Sequence, residues 1–385
     1  MEYNKREVIS SVLIIAAFLI VGGVTGFFSN KVGYQRGQSD VEMDFNNRLE
    51  EATEQKELYY SLTDLYDVDI KPADTVTLEI MDGVDGQEFS VEKWGGIDRV
   101  VVIPKGSMFA IYSGGELVRA YQMADGKTQV GQVTLLPDGF VVSSRQAIYK
   151  FGYDGTMISG LSIPTASHQV DVTPEGNYVI VRSGLDQVME ITPEGRVLFQ
   201  WNALEGLAQY SDANYKGWST VAEVDVITNM YNDYRQKFRE HYEWTHVNSC
   251  QKLEDGYLIG LRNLDLVIKV NKAGEIVWSF GAGILKHQHH PRILDNGNLL
   301  VFDNGNHRVA EYDMEQNLVW EYTDITAPIF GWCEKLPNGN YLIPDTHGGR
   351  LLEVTPDKEI VKQINVKPPF YMGCSFPIDV LGWIS

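Results

Sequence analysis

Histidine and arginine side chains are concentrated in one short stretch of the sequence. Residues 287–308 contain four histidines and two arginines, beginning with His287-Gln288-His289-His290 and ending with His307-Arg308. An imidazole can donate a proton, accept one or attack as a nucleophile, and a guanidinium offers a planar fork of donors that fits an oxyanion. These residue types indicate a pocket for a negatively charged group, with a histidine available for chemistry.

Other histidines stand at matching distances from recurrent turn glycines. His168 and His289 each precede such a glycine by eight residues, and His246 precedes one by ten. If the three histidines begin equivalent strands, their side chains converge at one mouth of the fold. The strands that follow carry further polar groups that we expect in the same pocket, namely Arg145, Arg182, Arg262 and Asn304.

Metal binding is the main alternative for this set of residues. Three imidazoles can hold zinc or copper, but the neighbouring arginines oppose a cation, so we predict no metal and no cofactor. The three cysteines lack zinc-site spacing. Cys250 and Cys333 each precede a turn glycine by six residues, which indicates equivalent buried positions on inner strands. A Cys333–Cys374 disulfide is the competing interpretation in an oxidising compartment.

The turn glycines belong to a repeat that predicts the fold. The segment Leu136-Pro137-Asp138-Gly139-Phe140-Val141-Val142 recurs with variations, and each copy continues into further short alternating strands. The turn glycines at 139, 176, 256, 297 and 339 are spaced by 37, 80, 41 and 42 residues. A period near 40 with four strands per unit is typical of propeller blades. Residues 100–121 form a degenerate earlier unit, so we predict an all-β, six-bladed β-propeller over residues 99–385.

The spacing of 80 residues contains one blade and an insertion. We place this insertion at residues 202–244 and expect it to be partly helical over residues 221–242. A long insertion between blades is typical of a lid or docking surface over one end of a propeller.

The region before the propeller is predicted to attach it to a membrane. Val8 to Phe28 is an uncharged run of 21 residues, long enough as a helix to cross a hydrocarbon core of roughly 30 Å. We interpret residues 1–28 as a transmembrane signal anchor, 29–70 as an acidic helical stalk and 71–98 as a β-hairpin segment. The expected location is the inner (cytoplasmic) membrane, single-pass, with the propeller on the periplasmic side.

The charge balance limits the class of partner. The chain has 32 Lys and Arg against 52 Asp and Glu, and therefore a formal net charge of −20. Phosphate backbones and anionic lipid surfaces require clustered basic residues. We therefore predict no nucleic acid partner.

Several motifs resemble the bacterial arylsulfotransferases over residues 100–366. They are Trp244-Thr245-His246-Val247-Asn248-Ser249, Gly260-Leu261-Arg262, Gln288-His289-His290 and Phe302-Asp303-Asn304-Gly305 with Arg308. The resemblance implies a six-bladed periplasmic propeller that transfers a sulfuryl group from an aryl sulfate to a phenol through a sulfohistidine, without a nucleotide. It implies that His246 and His289 stabilise the sulfuryl oxygens, with Arg308 or Arg262 as the arginine partner.

The sequence departs from the family at the nucleophile. The family's nucleophilic histidine lies in a late blade, where this sequence reads Gly331-Trp332-Cys333. His347 in the next loop is our candidate for that role, and His307 is a second. The alternative hypothesis is a catalytically inactive propeller that serves as a binding or scaffold subunit of a membrane complex, or as a homo-oligomer.

Overall fold

A computed structural model describes most of the second half of the chain and parts of the first. The described residues are 70–81, 91–94, 99–113, 116–163, 169–208, 245–326, 332–366, 374–377 and 381–384. They form an all-β, six-bladed propeller, which confirms the predicted fold class.

The strands of the described residues are short and numerous. In chain order they are β1 Lys71–Pro72, β2 Leu78–Ile80, β3 Val91–Trp94, β4 Arg99–Lys105, β5 Met108–Ser113, β6 Glu116–Met123, β7 Val133–Leu136, β8 Gly139–Ser143, β9 Ala147–Phe151, β10 Met157–Ser162, β11 Val170–Val172, β12 Tyr178–Arg182, β13 Gln187–Ile191, β14 Val197–Asn202, β15 Val247–Lys252, β16 Gly256–Leu261, β17 Leu266–Asn271, β18 Ile276–Phe280, β19 His289–Ile293, β20 Leu299–Asp303, β21 Arg308–Tyr312, β22 Leu318–Tyr322, β23 Glu334–Lys335, β24 Tyr341–Asp345, β25 Arg350–Val354, β26 Ile360–Val366 and β27 Cys374–Pro377. The helices are α1 Ala203–Ala208 and α2 Leu381–Ile384, with 3₁₀ turns at Ser183–Leu185, Arg262–Leu264 and Asn304–Asn306.

Each blade is an antiparallel sheet that runs outward from an inner strand. Blades 2 to 5 begin with β7, β11, β15 and β19, and blade 6 begins with β23. Blade 1 combines β4, β5 and β6 with the much later strand β27, which takes its inner position. The ring is therefore closed by hydrogen bonds between the beginning and the end of the propeller sequence.

The three strands that the structure describes within residues 71–98 do not pair with each other as the predicted hairpin would require. Strand β1 adds to the outer edge of blade 2, β2 to blade 1 and β3 to blade 6. The alternating pattern of this segment was interpreted correctly as extended chain, but each strand finds its partner on a different blade. Covering three outer edges removes unpaired backbone groups that would otherwise face solvent.

The signal anchor, the stalk and most of the insertion lie outside the described residues. Within residues 202–244 the structure describes Asn202 at the end of β14 and the short helix α1. Among the residues that the structure describes, no helix is long and apolar enough to span a membrane.

The hydrophobic core lies between neighbouring blades rather than at one centre. Phe109 and Tyr121 of blade 1 pack on Phe140 of blade 2, and a separate cluster joins blade 1 to blade 6. Further clusters join blades 4 and 5 and blades 5 and 6. Burying a large side chain of this kind contributes about 1.5–3 kcal/mol. Each blade is thus stable only against its neighbours.

Glutamine side chains connect the inner strands of successive blades. Gln169 of blade 3 accepts a hydrogen bond from the backbone N–H of Cys250 in blade 4 and donates to its carbonyl, at 3.0 and 2.8 Å. Gln251 makes the same pair of bonds with Ile293 of blade 5, at 2.8 and 3.1 Å. These contacts hold the inner strands in a fixed axial register, which positions the residues at their ends.

Buried glutamates tie blades together at the end where the glycine turns lie. Glu311 is 1% exposed and accepts hydrogen bonds from Asn298 of its own blade and from Lys335 and Tyr341 of the next. Glu190 repeats the arrangement between blades 3 and 4. Burial opposes ionisation of both carboxyls, but the hydrogen bonds outweigh it and hold each pKa below the ordinary value of 4.5.

The lowered pKa values predict a loss of stability in acid. A carboxyl with a depressed folded-state pKa stabilises the protein fully above its ordinary pKa, and this contribution is lost as the pH falls through the folded-state value. We expect the urea midpoint to change little between about pH 7 and pH 5 and to fall below about pH 4.5. The double variant E190Q/E311Q should flatten this decline, and an unchanged pH profile in the variant would contradict the assignment.

Gly256 and Gly297 are required in their turns for different reasons. A Cβ on Gly256 would lie 1.9 Å from the carbonyl oxygen of Val270, whereas a Cβ on Gly297 would meet nothing within 4 Å and only the φ of 85° opposes it. We expect Gly256→Ala to lower the free energy of unfolding by about 3 kcal/mol. Gly297→Ala should cost about 1–2 kcal/mol. Urea denaturation of the two variants measures both, and equal losses would contradict the steric argument.

Candidate functional site

The up-and-down blade topology brings His246 and His289 to one end of the propeller. The first and third strands of a blade run one way and the second and fourth the other, so the start of the inner strand lies beside the connection between strands two and three. His246 directly precedes β15, and His289 is the first residue of β19. We call this end the mouth face.

The connections between second and third strands supply the other predicted residues to the mouth face. Arg262 opens the 3₁₀ turn after β16, and Asn304 opens the one after β20. Arg145 lies in the exposed loop between β8 and β9, and His347 is half-buried between β24 and β25. His168, which we predicted to join them, lies outside the described residues.

Four histidines of the mouth face have an uncommon backbone conformation. His246, His287, His290 and His307 have positive φ angles of 50°, 49°, 48° and 55°. A non-glycine residue in this region costs of order 1–3 kcal/mol and persists where the surrounding structure enforces it, often at functional sites. This backbone reverses the direction of successive side chains, so His289 and His290 are presented to different neighbours.

His289 is buried and its ring orientation is defined by two oxygens. Its Nδ1 lies 3.1 Å from the carbonyl oxygen of His287 and 3.0 Å from Oδ1 of Asn304. A carbonyl oxygen can only accept, so Nδ1 carries the proton and donates it. In the neutral ring the lone pair is therefore on Nε2. His289 has the protonation pattern of a base or nucleophile.

His246 and Arg262 lie close to His287 at the boundary of blades 4 and 5. Partial burial lowers the pKa of His287, and the positive charge of Arg262 is the next largest cause. His246 acts in the same direction. The backbone N–H of Arg262 donates to the carbonyl of His246 at 3.3 Å, so blade 4 presents both residues together.

Arg308 is held in a network of its own. Its guanidinium donates to the carboxylates of Asp303 and Glu321, at 2.8 and 3.1 Å, and to the carbonyl of Ile284 at 3.2 Å. Asp303 is 0% exposed and also accepts the backbone N–H of Lys286 at 2.8 Å. These contacts fix the segment that leads into His289, so the geometry gives Arg308 a positioning role for the histidine stretch.

A buried aspartate that contacts an arginine is also found in blade 6. Asp345 is 0% exposed, accepts from Arg350 and takes the backbone N–H of Thr326 at 3.1 Å. His347 lies in the loop between Asp345 and Arg350. His307, the second nucleophile candidate, is exposed and closes the turn after β20 in a left-handed conformation.

Arg182 is more deeply buried than the pocket prediction implied. It is 2% exposed, ends β12 and hydrogen-bonds Gln187, which in turn donates to Asn202 at 2.8 Å. This chain of contacts joins three strands of blade 3. The buried, hydrogen-bonded guanidinium is part of the framework of the blade.

The structure adds a polar network inside the central channel that our sequence reasoning missed. Arg292 of blade 5 reaches Asp171 of blade 3 with a contact of 2.8 Å, past the intervening blade 4. Asp171 also accepts from Gln169 at 2.6 Å. Arg292 donates to Nε2 of His290 from its Nε at 3.2 Å and from its Nη2 at 3.0 Å. The signal available in the sequence was the two-residue spacing of His290 and Arg292 on β19.

The structure describes two of the three cysteines as buried and reduced. Cys250 and Cys333 are buried free thiols, and burial raises the pKa of both. The Cys333–Cys374 disulfide is therefore not formed in this structure. Within the described ranges no group of three or more His, Cys, Asp or Glu side chains is arranged to hold a metal ion.

Two solved structures of distant sequence are similar to this chain. A protein of unknown function from Bacteroides caccae is 18% identical with a TM-score of 0.52, and the alignment covers 72% of this chain and 98% of that one. A catalytically inactive virginiamycin B lyase from Staphylococcus aureus with quinupristin is 9% identical with a TM-score of 0.46, covering 78% and 97%. The first similarity shows a common fold.

The sequence comparisons are more specific than the fold. No curated protein matches this sequence. Residues 153–367, more than half of the chain, match the arylsulfotransferase (ASST) family. The matched region contains His246 and His289 and extends from the end of blade 2 through blade 6. The chain therefore belongs to the arylsulfotransferase (ASST) family.

Proposed function

We propose that this protein transfers a sulfuryl group from an aryl sulfate to a phenol, with His289 as the nucleophile. The observation that carries the proposal is the fixed donation from Nδ1 of His289 to the carbonyl of His287, which leaves the lone pair on Nε2. A nucleophile needs its reactive atom deprotonated and its ring held in one orientation. Family membership supplies the substrate class.

The first half-reaction forms a nitrogen–sulfur bond. Nε2 of His289 attacks the sulfur of the aryl sulfate, and the sulfur–oxygen bond to the aryl group breaks. The phenolate leaves with the electron pair of that bond. The sulfated ring gains positive charge, and the two oxygens that face Nδ1, from His287 and Asn304, stabilise it.

The second half-reaction returns the enzyme to its starting state. The oxygen of a phenol attacks the sulfur, its proton passes to a base, and the nitrogen–sulfur bond breaks with its electrons returning to Nε2. His246 is our candidate for the base that takes this proton, and Arg262, presented with it by blade 4, is our candidate for the group that stabilises the sulfuryl oxygens. His347, the nucleophile that the sequence predicts, is the alternative to His289 in this role.

We also propose that residues 1–28 anchor the protein in the inner membrane, with the propeller on the periplasmic side. The uncharged run from Val8 to Phe28 supports this topology. Aryl sulfates and phenols outside the cytoplasm would then be the small-molecule partners. Protease treatment of spheroplasts tests the topology: the propeller should be degraded in intact spheroplasts, and protection until lysis would contradict it.

The experiment for the activity uses the full chain purified in detergent. It is assayed with 4-nitrophenyl sulfate and a phenol, quenched at alkaline pH after donor alone, and digested for mass spectrometry. We expect turnover and a sulfated peptide that contains His289. Turnover that survives in the double variant with His246→Ala and His289→Ala would overturn the proposal. A sulfated peptide containing His347 would move the nucleophile to blade 6.

A wild-type protein that folds but does not turn over any aryl sulfate would favour the alternative hypothesis of a binding or scaffold subunit. In that case extraction in mild detergent followed by native mass spectrometry should find the propeller in a complex. Turnover of an aryl sulfate distinguishes the two hypotheses.

A further inference from the structure

The inner strands of blades 4 and 5 differ from the other inner strands in their pairing. In β15, Asn248 is an extra residue between two successive pairs of the ladder with β16 and forms a β-bulge. In β19, a register shift directly follows His289. In the other four blades, the inner strands that the structure describes pair with the second strands without a shift. A bulge changes the direction of a side chain and is frequent beside active sites.

The bulge directs the Asn248 amide toward blade 5. Its Nδ2 donates to the backbone carbonyl of Gln288 at 2.8 Å, and its Oδ1 accepts from the Ser249 hydroxyl at 3.1 Å. A Cβ on Gly260 would lie 2.9 Å from this Oδ1 and 2.4 Å from the Ser249 hydroxyl oxygen, so a glycine at this position leaves room for both side chains. Asn248 is buried, and the contact with Gln288 is therefore protected from water.

Two further contacts fasten the histidine stretch to blade 4. The Gln288 side chain is fully buried and donates from Nε2 to the backbone carbonyls of Leu261 and Leu266, at 3.1 and 2.7 Å. Asp265 accepts the backbone N–H of His287 at 2.6 Å. Residues 287 and 288 are therefore held by blade 4 before the chain enters the sheet of blade 5.

The peptide group between His287 and Gln288 lies between two peptide groups that blade 4 holds. Asp265 binds the N–H of the preceding peptide, and Asn248 binds the carbonyl of the following one. The carbonyl of the middle peptide is the one that accepts the Nδ1 proton of His289. His287 has a positive φ of 49°, a conformation that persists where surrounding contacts enforce it. The contacts from blade 4 thus set the direction of the carbonyl that orients His289.

We propose that Asn248 is a positioning residue for sulfuryl transfer, because its bond to the Gln288 carbonyl fixes the peptide that orients the His289 ring. Blade 4 then sets the geometry of a nucleophile that blade 5 carries. Asp265 acts on the other side of the same peptide through a solvent-exposed contact, which water can partly replace. This inference rests on the proposed function, because it concerns how the proposed nucleophile is held.

Three positions separate positioning from stability. Asn248→Ala removes the amide that binds the Gln288 carbonyl. Asp265→Ala removes the acceptor of the His287 N–H, whereas Asp265→Asn retains one. Glu311→Ala is the control, because it removes buried hydrogen bonds between blades 5 and 6 at the opposite end of the propeller. The unfolding midpoint of each variant is measured first, and Asp265→Ala serves if Asn248→Ala does not fold.

Steady-state kinetics with 4-nitrophenyl sulfate and a phenol, on the full chain in detergent, is the first measurement. We expect kcat to fall roughly 10- to 100-fold in Asn248→Ala, because a displacement of about 1 Å can cost about 10²-fold. KM should change by less than about 3-fold. Asp265→Ala should lose roughly 3- to 10-fold in kcat, and Asp265→Asn should restore it. An unchanged kcat in Asn248→Ala, or an equal loss in Glu311→Ala, would overturn the proposal.

The Nδ1 proton of His289 gives a second measurement that does not depend on turnover. It is observed in ¹H–¹⁵N spectra of histidine-labelled protein and assigned by its loss in His289→Ala. In Asn248→Ala this proton should resonate upfield of its wild-type position, because its hydrogen bond to the His287 carbonyl weakens. In Glu311→Ala it should keep the wild-type position. An unchanged resonance in Asn248→Ala would overturn the proposal.

The two measurements distinguish failure of this inference from failure of the proposed function. If the wild type turns over no aryl sulfate but the Nδ1 resonance moves in Asn248→Ala, the proposed function fails and the positioning of His289 stands. If the wild type is active and Asn248→Ala is equally active, the proposed function stands and the role of Asn248 fails.

Discussion

His289→Ala is expected to lower kcat/KM for sulfuryl transfer by at least about 10³-fold, since loss of even one oxyanion-stabilising donor costs about 10²–10³ in comparable sites. His289 is 6% exposed and its ring is held by His287 and Asn304, so truncation removes a positioned group that water does not replace. KM should change much less than kcat, because the missing bond forms in the transition state. Steady-state kinetics with 4-nitrophenyl sulfate measures both.

His307→Asn is the matched comparison for this prediction. His307 is exposed at φ 55°, and asparagine tolerates the left-handed region, so the substitution removes an imidazole of the mouth face with little backbone strain. We expect activity within a few-fold of the wild type. A loss at His307 as large as that at His289 would assign the nucleophile to the turn after β20 instead.

Glu311→Ala is expected to lower the free energy of unfolding by about 3 kcal/mol, because it leaves several buried or half-buried donors without an acceptor. The carboxylate accepts from Asn298 at 2.7 Å, Lys335 at 2.7 Å and Tyr341 at 2.6 Å, and so joins blades 5 and 6. The value is moderated by Lys335, which is 26% exposed and can regain water.

Urea denaturation measures the loss of unfolding free energy in Glu311→Ala, provided that the slope of the free energy against urea concentration is the same in the variant and the wild type. The control is Glu315→Ala, an exposed glutamate in the turn after the same strand, which should change the free energy of unfolding by less than about 0.5 kcal/mol. Equal effects at the two positions would show that the inter-blade hydrogen bonds contribute little. Activity of the Glu311 variant below its unfolding midpoint should be preserved, since the carboxylate lies at the end opposite the mouth face.

The blade repeat could be predicted from the sequence because its signals are local. A glycine turn and two alternating strands fit within about 15 residues, and their recurrence implies neighbours that bury each other. The same repeat predicts that Arg262, His289 and Asn304 lie on one face. Cys250 and Cys333 were predicted as buried for the same reason, and both are buried.

Contacts between distant blades could not be predicted in this way. The outer strands β1 and β2 are two and three residues long, too short to show a period, so their partners are set by the edges available rather than by their own sequence. The Asp171–Arg292 pair joins residues 121 positions apart. The hydrogen-bond partners of the His289 and His290 rings, Asn304 and Arg292 among them, are set by the fold, and the spacing of residues in the sequence does not predict them.

The closure of blade 1 by β27 also constrains how the molecule is made. Strand β4 is synthesised early, but its inner partner Cys374–Pro377 emerges hundreds of residues later. Until then blade 1 presents an open edge and blade 6 lacks a neighbour on one side. The propeller ring therefore cannot close, and the mouth face cannot reach its final geometry, before β27 has been synthesised. Until then the open edge of blade 1 is exposed to aggregation.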